Sequence, residues 1–157
     1  MSDRVPMTPG GYERLKKELT HLKNIERPEV IKQIEYARSL GDLSENAEYE
    51  TAKNKQSMVE GKIKDLDAKI GLAEVIDPEQ IKNKDKVVFG LTVTVEDVDT
   101  GDTKKYQLVG PDETDPDNGL ISITSPIGRA FVGKEAGDEV KVMVPGGLRE
   151  FVIVGID

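Results

Sequence analysis

Two apolar seams that fit each other only in an antiparallel register constrain this chain more than any other feature. From Tyr49, the residues Tyr49, Ala52, Gln56, Val59, Ile63, Leu66, Ile70 and Ala73 recur in steps of three and four, a helical seam with one polar interruption at Gln56. Upstream, Tyr12, Leu15, Leu19, Leu22 and Ile25 form a similar seam that resumes after Arg27-Pro28 as Val30, Ile34, Ala37 and Leu40. Pro28, which lacks an N–H and fixes φ, is expected to kink or restart that helix. Pairing Leu15 with Ala73, Leu22 with Leu66, Ile25 with Ile63, Val30 with Val59, Ala37 with Ala52 and Leu40 with Tyr49 makes the partner numbers add to a constant of 88 or 89. The turn is then centred near Ser44 and Glu45. A second helix from about Glu45 to Glu74 spans on the order of 45 Å at about 1.5 Å per residue. Two helices share a single seam and have no room for an enclosed pocket.

After Asp77-Pro78 the period changes to that of strands. Val87-Val88-Phe89 and then Leu91, Val93 and Val95 alternate against Thr92, Thr94 and Glu96, and Asp99-Thr100-Gly101-Asp102 reads as a hairpin turn. Further strands are expected over Lys105 to Val109, Leu120 to Thr124, Glu139 to Val144 and Glu150 to Ile156, with breaks at Pro111 to Gly119 and Pro145-Gly146-Gly147. Ser125-Pro126 has the form of an N-cap followed by proline, opening a short helix to about Val132. The fold class expected is α+β with two domains, 1–75 a helical hairpin and 76–157 an antiparallel, twisted sheet.

Composition narrows the chemistry. There is no cysteine, hence neither a disulfide framework nor a thiolate zinc site. Met1-Ser2-Asp3-Arg4-Val5-Pro6 has no apolar core of a signal peptide, and no stretch is long and apolar enough to span a membrane, so the cytoplasm is expected. The net charge of −8 is uneven, with 13 Lys/Arg against 14 Asp/Glu in residues 1–75 and 9 against 16 in residues 76–157. Autonomous binding to nucleic acid is therefore not expected. Positive charge gathers behind the turn in Arg38, Lys53 and Lys55, either as solvated helix faces or as a surface for a polyanion. The acidic loop Asp112, Glu113, Asp115, Asp117 and Asn118 lacks calcium-loop spacing and reads as solvated. His21 lies off the seam, and one histidine without cysteine leaves nucleophile-plus-histidine chemistry little to work with.

The run Gly41-Asp42-Leu43-Ser44-Glu45-Asn46-Ala47-Glu48-Tyr49 occupies the apex. Asp42-x-x-Glu45 has two readings. One is a capping box, with Asp42 as N-cap and Glu45 at N3. The other is a deliberately acidic tip: Glu48 and Glu50 add charge, no base lies between Asp42 and Glu50, and such carboxylates repel unless a cation is near. Two carboxylates are too few to hold Mg²⁺, which prefers octahedral oxygen coordination. The tip then supplies half of a metal site to a larger enzyme that already binds Mg²⁺ and phosphate.

This run resembles the tip motif of the bacterial Gre transcript cleavage factors. Pro6-Met7-Thr8, Arg27-Pro28-Glu29, Glu74-Val75-Ile76-Asp77, Val88-Phe89-Gly90, Ser125-Pro126-Ile127 and Pro145-Gly146-Gly147 extend the resemblance over nearly the whole chain. It implies an N-terminal antiparallel coiled-coil hairpin and a C-terminal FKBP-like domain that docks on RNA polymerase at the mouth of its secondary channel. In such a factor, Asp42 and Glu45 help hold the second Mg²⁺ of the polymerase active centre, so that the polymerase cleaves backtracked RNA. By the same resemblance Asn46 and Tyr49 shape the tip, Arg38 and Lys53 steer the nascent RNA, and Ser125, Pro126 and Ile127 belong to the docking segment. The near-neutral hairpin fits the less basic branch of the family. The factor is expected to be a monomer and not itself an enzyme, binding no metal stably alone.

Three other functions are set beside this one. A regulator that occupies the channel without promoting cleavage would not need Asp42 and Glu45. Prolyl isomerisation needs an aromatic-lined pocket, against the few aromatics Phe89, Tyr106, Phe131 and Phe151 of the second half. A holdase needs an apolar tip, and this one is acidic.

Overall fold

A computed structural model describes residues 4–42 and 46–157. Strand β1 (Val5–Met7) leads into helix α1 (Pro9–His21), a π-helical turn (Leu22–Glu26), α2 (Arg27–Ser39), α3 (Ala47–Leu72) and β2 (Ala73–Val75). Strands β3 (Thr92–Asp97), β4 (Thr103–Val109) and β5 (Leu120–Ser122), helix α4 (Pro126–Phe131) and strands β6 (Glu139–Val144) and β7 (Gly147–Ile156) complete the chain. Contacts divide it into two units, Tyr12–Leu72 and Met1–Gly11 with Ala73–Asp157. The division differs from a single boundary after residue 75 because β1 pairs in parallel with β2, Val5 opposite Ala73 and Met7 opposite Val75, so the described part of the N-terminal segment packs with the sheet.

The hairpin unit buries Leu22, Val30, Ile34, Ala52, Val59, Ile63 and Leu66 between its helices, with Leu15, Leu19 and Tyr49 packed against them. Two interhelical ion pairs, Arg27 with Glu60 (2.9 Å) and Lys23 with Asp67 (3.6 Å), join residues whose numbers add to within two of the expected constant. The seam fails at two expected positions. Ile25 is 55% exposed and Leu40 52% exposed.

Ile25 fails because the turn before Pro28 is π-helical. The Arg27 N–H donates to the Leu22 carbonyl, five residues back. This wider turn carries the buried face from Leu22 past the half-buried Glu26 and Arg27 to Val30, and turns Ile25 out. Pro28 therefore restarts the helix through a π turn. Leu40 is the residue that ends α2. Helix α3 is shorter than expected at 26 residues, because Ala73–Val75 leave it to pair with β1.

The second unit holds a five-stranded sheet in the order β5-β4-β3-β7-β6. Its pairs are antiparallel except β4 with β5, which run parallel, so the sheet is mixed where an antiparallel one was expected. The loop of Pro111 to Gly119 carries the chain from β4 to the parallel β5 in two 3₁₀ turns, Pro111–Glu113 and Pro116–Asn118, and the segment that contains α4 then crosses from β5 at one edge of the sheet to β6 at the other. Val93, Val95, Phe151, Ile153, Val140 and Val142 point to one face, where Phe131 of α4 covers them. Phe131 and Phe151 meet edge to face at 5.6 Å and are essentially inaccessible, so these rings pack the core and do not line a pocket. Val87–Phe89 form no strand. Val87 is instead fully buried, tied to Gly133 and Lys134 by backbone bonds of 2.8 and 2.9 Å.

The acidic loop is not wholly solvated. Glu113 is 5% exposed and its carboxylate accepts the Thr8 N–H (3.0 and 3.1 Å), the Thr8 hydroxyl and the Gly110 N–H (2.9 Å). Gly11 lies so close that a β-carbon there would collide with the Glu113 carboxylate. A second buried carboxylate, Asp97, ends β3. Its Oδ2 accepts from Arg149 Nη2 at 2.7 Å and its Oδ1 accepts the Asp99 N–H at 2.9 Å, which closes the expected 99–102 turn. The Arg149 guanidinium holds the Asp97 carboxyl below the usual carboxylate range.

Candidate functional site

The connection between α2 and α3 runs from Leu40 to Asn46 and contains both candidate carboxylates. At the end of α2 the Leu40 N–H donates to the Ala37 carbonyl (3.2 Å) and the Gly41 N–H to the Arg38 carbonyl (3.3 Å). Gly41 has φ +110°, a conformation glycine takes without steric cost, and it follows the C-cap of α2. Asp42 follows and is exposed. Leu43, Ser44 and Glu45 lie outside the described residues, and with them the expected turn centre and one candidate ligand.

Helix α3 begins at Ala47, and its N-cap is Asn46. The Asn46 Oδ1 accepts the Tyr49 N–H at 3.1 Å, and the first helical bond runs from the Glu50 N–H to the Asn46 carbonyl. Asn46, and not Asp42, therefore caps α3, which starts at Ala47, while Glu45, the N3 partner of the capping-box reading, lies outside the described residues. Glu48 and Glu50 sit in the first turn, where the positive end of the helix dipole stabilises negative charge. The acidity of this run thus has a local part, in Glu48 and Glu50, and a part carried by Asp42 beyond the helix.

The other candidates are spread over both units. Tyr49 is half-buried against the hairpin core. Arg38 is exposed in the last turn of α2, four residues before Asp42. Lys53 is exposed six residues into α3, about 9 Å along the axis, and donates to Gln56 Oε1 at 3.0 Å. Arg38 therefore flanks the turn, while Lys53 stands further down the shaft. In the sheet unit, Ser125 caps α4: its Oγ accepts the Gly128 N–H at 3.0 Å and donates to the Ser122 carbonyl at 2.7 Å. Pro126 is exposed and Ile127 packs on the sheet core, so of these three only Pro126 is turned outward.

Sequence reasoning passed over Tyr36, which is 62% exposed and borders an open groove with Lys32, Glu48 and Thr51 beside the turn. Its position, between the buried Ile34 and Ala37, is the signal that takes it off the seam. As ligands, the carboxylates are hard oxygen donors suited to Mg²⁺, and Asp42 is at the surface of a turn whose helix is already capped. Among the described residues, no group of three or more His, Cys, Asp or Glu side chains is arranged to hold a metal. Of the two expected donors Asp42 is described and exposed, and Glu45 lies outside the described residues.

Residues 5–75 match the family described as transcription elongation factor, N-terminal, and residues 82–157 match the C-terminal family of the transcription elongation factors GreA and GreB. The chain belongs to the GreA/GreB family of transcription elongation factors. It is 54% identical over 156 residues to transcription elongation factor GreA of Thermodesulfovibrio yellowstonii, covering 99% of this chain and 98% of that protein. Similar values hold for transcription elongation factor GreA of Syntrophotalea carbinolica, at 53% with 99% and 98% covered, and of Verminephrobacter eiseniae, at 51% with 97% and 96% covered.

Proposed function

We propose that this protein binds RNA polymerase, places the α2–α3 turn in its secondary channel and stimulates cleavage of backtracked nascent RNA. The observation that carries the proposal is the match to transcription elongation factors over 99% of the chain, with Asp42 exposed just beyond the end of α2. Asp42 and Glu45 are the residues that would hold a Mg²⁺ ion together with polymerase ligands. When bound, that ion activates a water and stabilises the leaving oxygen of an in-line phosphoryl displacement. The carboxylates orient the attacking water, Arg38 and Lys53 face the RNA, and the sheet unit docks through the region of Ser125, Pro126 and Ile127. The factor is an accessory protein that acts as a cytoplasmic monomer, and the reaction belongs to the polymerase.

The test is the double variant Asp42→Asn with Glu45→Gln, with polymerase binding and RNA cleavage measured separately on a stalled, backtracked complex. Cleavage is expected to fall by orders of magnitude while binding persists. Loss of both in equal measure would return the pair to a structural role. Wild-type factor that binds without shortening the RNA 3′ end would leave channel occupancy as the function.

A further inference from the structure

Asn46 makes two hydrogen bonds that no other side chain of its size could make together. Its Oδ1 accepts the Tyr49 N–H of α3 at 3.1 Å, and its Nδ2 donates to the Ala37 carbonyl of α2 at 2.6 Å. The acceptor caps one helix and the donor satisfies a carbonyl in the last turn of the other. Serine, threonine and aspartate supply the cap as well as asparagine does. None of them carries an amide donor to reach across the turn. The Ala37 carbonyl already receives the Leu40 N–H, and Ala37 itself is 1% exposed, so the amide joins the turn to the buried end of the hairpin core.

We infer that Asn46 is a positioning residue for transcript cleavage, clamping the end of α2 to the start of α3 so that Asp42, which lies between its two partners in the chain, is presented in one orientation. The inference rests on the proposed cleavage function and gives Asn46 a part in it through the two backbone groups it holds. The clamp joins two helices directly, since the acceptor lies in the last turn of α2 and the capped amide in the first turn of α3. Orientation of a ligand is what such a factor contributes, and a misplacement of about 1 Å is enough to cost on the order of a hundredfold in rate.

The two bonds are separated by comparing Asn46→Ser, which keeps a cap and loses the clamp, with Asn46→Ala, which loses both. Amide hydrogen exchange on the free protein gives the first readout. In Asn46→Ser the Tyr49 amide stays protected and the amides of Leu40 and Gly41 exchange faster. Transcript cleavage over a range of factor concentrations gives the second. In Asn46→Ser the rate at saturation falls on the order of tenfold or more, with helix content and the half-saturating concentration unchanged. Asn46 acting only as a helix cap predicts wild-type cleavage for Asn46→Ser and a defect confined to Asn46→Ala, and that result overturns the inference. Wild-type protein that stimulates no cleavage would overturn the underlying function, and the exchange experiment would still report on the clamp.

Discussion

Glu113 shows how far apart in sequence the partners of one side chain can lie. Among Asp112, Asp115 and Asp117 it reads as one more solvated acid, yet it is buried, because the Thr8 N–H that it accepts is 105 residues away. Nothing local in the sequence announces that partner. Glu113→Ala leaves the Thr8 and Gly110 N–H groups without an acceptor, and each unsatisfied buried group costs about 1–3 kcal/mol. Urea denaturation followed in the sheet unit should show a loss of that size. Asp97 gives a pH dependence whose sign follows from its depressed pKa. The Arg149 bond contributes fully above the unfolded value of about 4 and is lost as pH falls through the lower folded value. Thermal melting should therefore fall more steeply with acid below about pH 4 in the wild type than in Asp97→Asn.

The helices were legible as elements because a steady three-and-four spacing has one structural meaning, and the register followed from matching the two seams. The π turn was not legible. A single extra residue in one turn leaves composition unchanged and shifts the buried face by one position, so Ile25 looks like core in the sequence and is exposed in the fold. The contrast is measurable. Leu22→Ala should cost about 2–5 kcal/mol. Ile25→Ala should stay within about 0.5 kcal/mol, as at other exposed positions. The reverse order would mean an uninterrupted α-helical seam. In the sheet, β6 lies where alternation puts it, while Val87–Phe89 have strand composition without a neighbour to pair with, and Val87 is held instead by Gly133 and Lys134. The parallel pairing of β5 was hidden because a strand's composition does not tell which way its neighbour runs.

For the molecule as a whole, the proposed function gives the two units different work, so binding and cleavage should be separable. The acidic run was recognisable in the sequence, but its division of labour was not, since capping belongs to Asn46 and leaves Asp42 beyond the helix. The central claim is that Asp42 and Glu45 serve the reaction and not the docking. Competition tests it most directly: Asp42→Asn with Glu45→Gln is titrated against a fixed amount of wild-type factor on a backtracked polymerase complex, and the rate of RNA 3′-end cleavage is followed. The variant should displace the wild type at matched concentrations and suppress cleavage in proportion to its share of the mixture. A variant that leaves the wild-type rate untouched at large excess, or that cleaves as well as the wild type, would contradict the account.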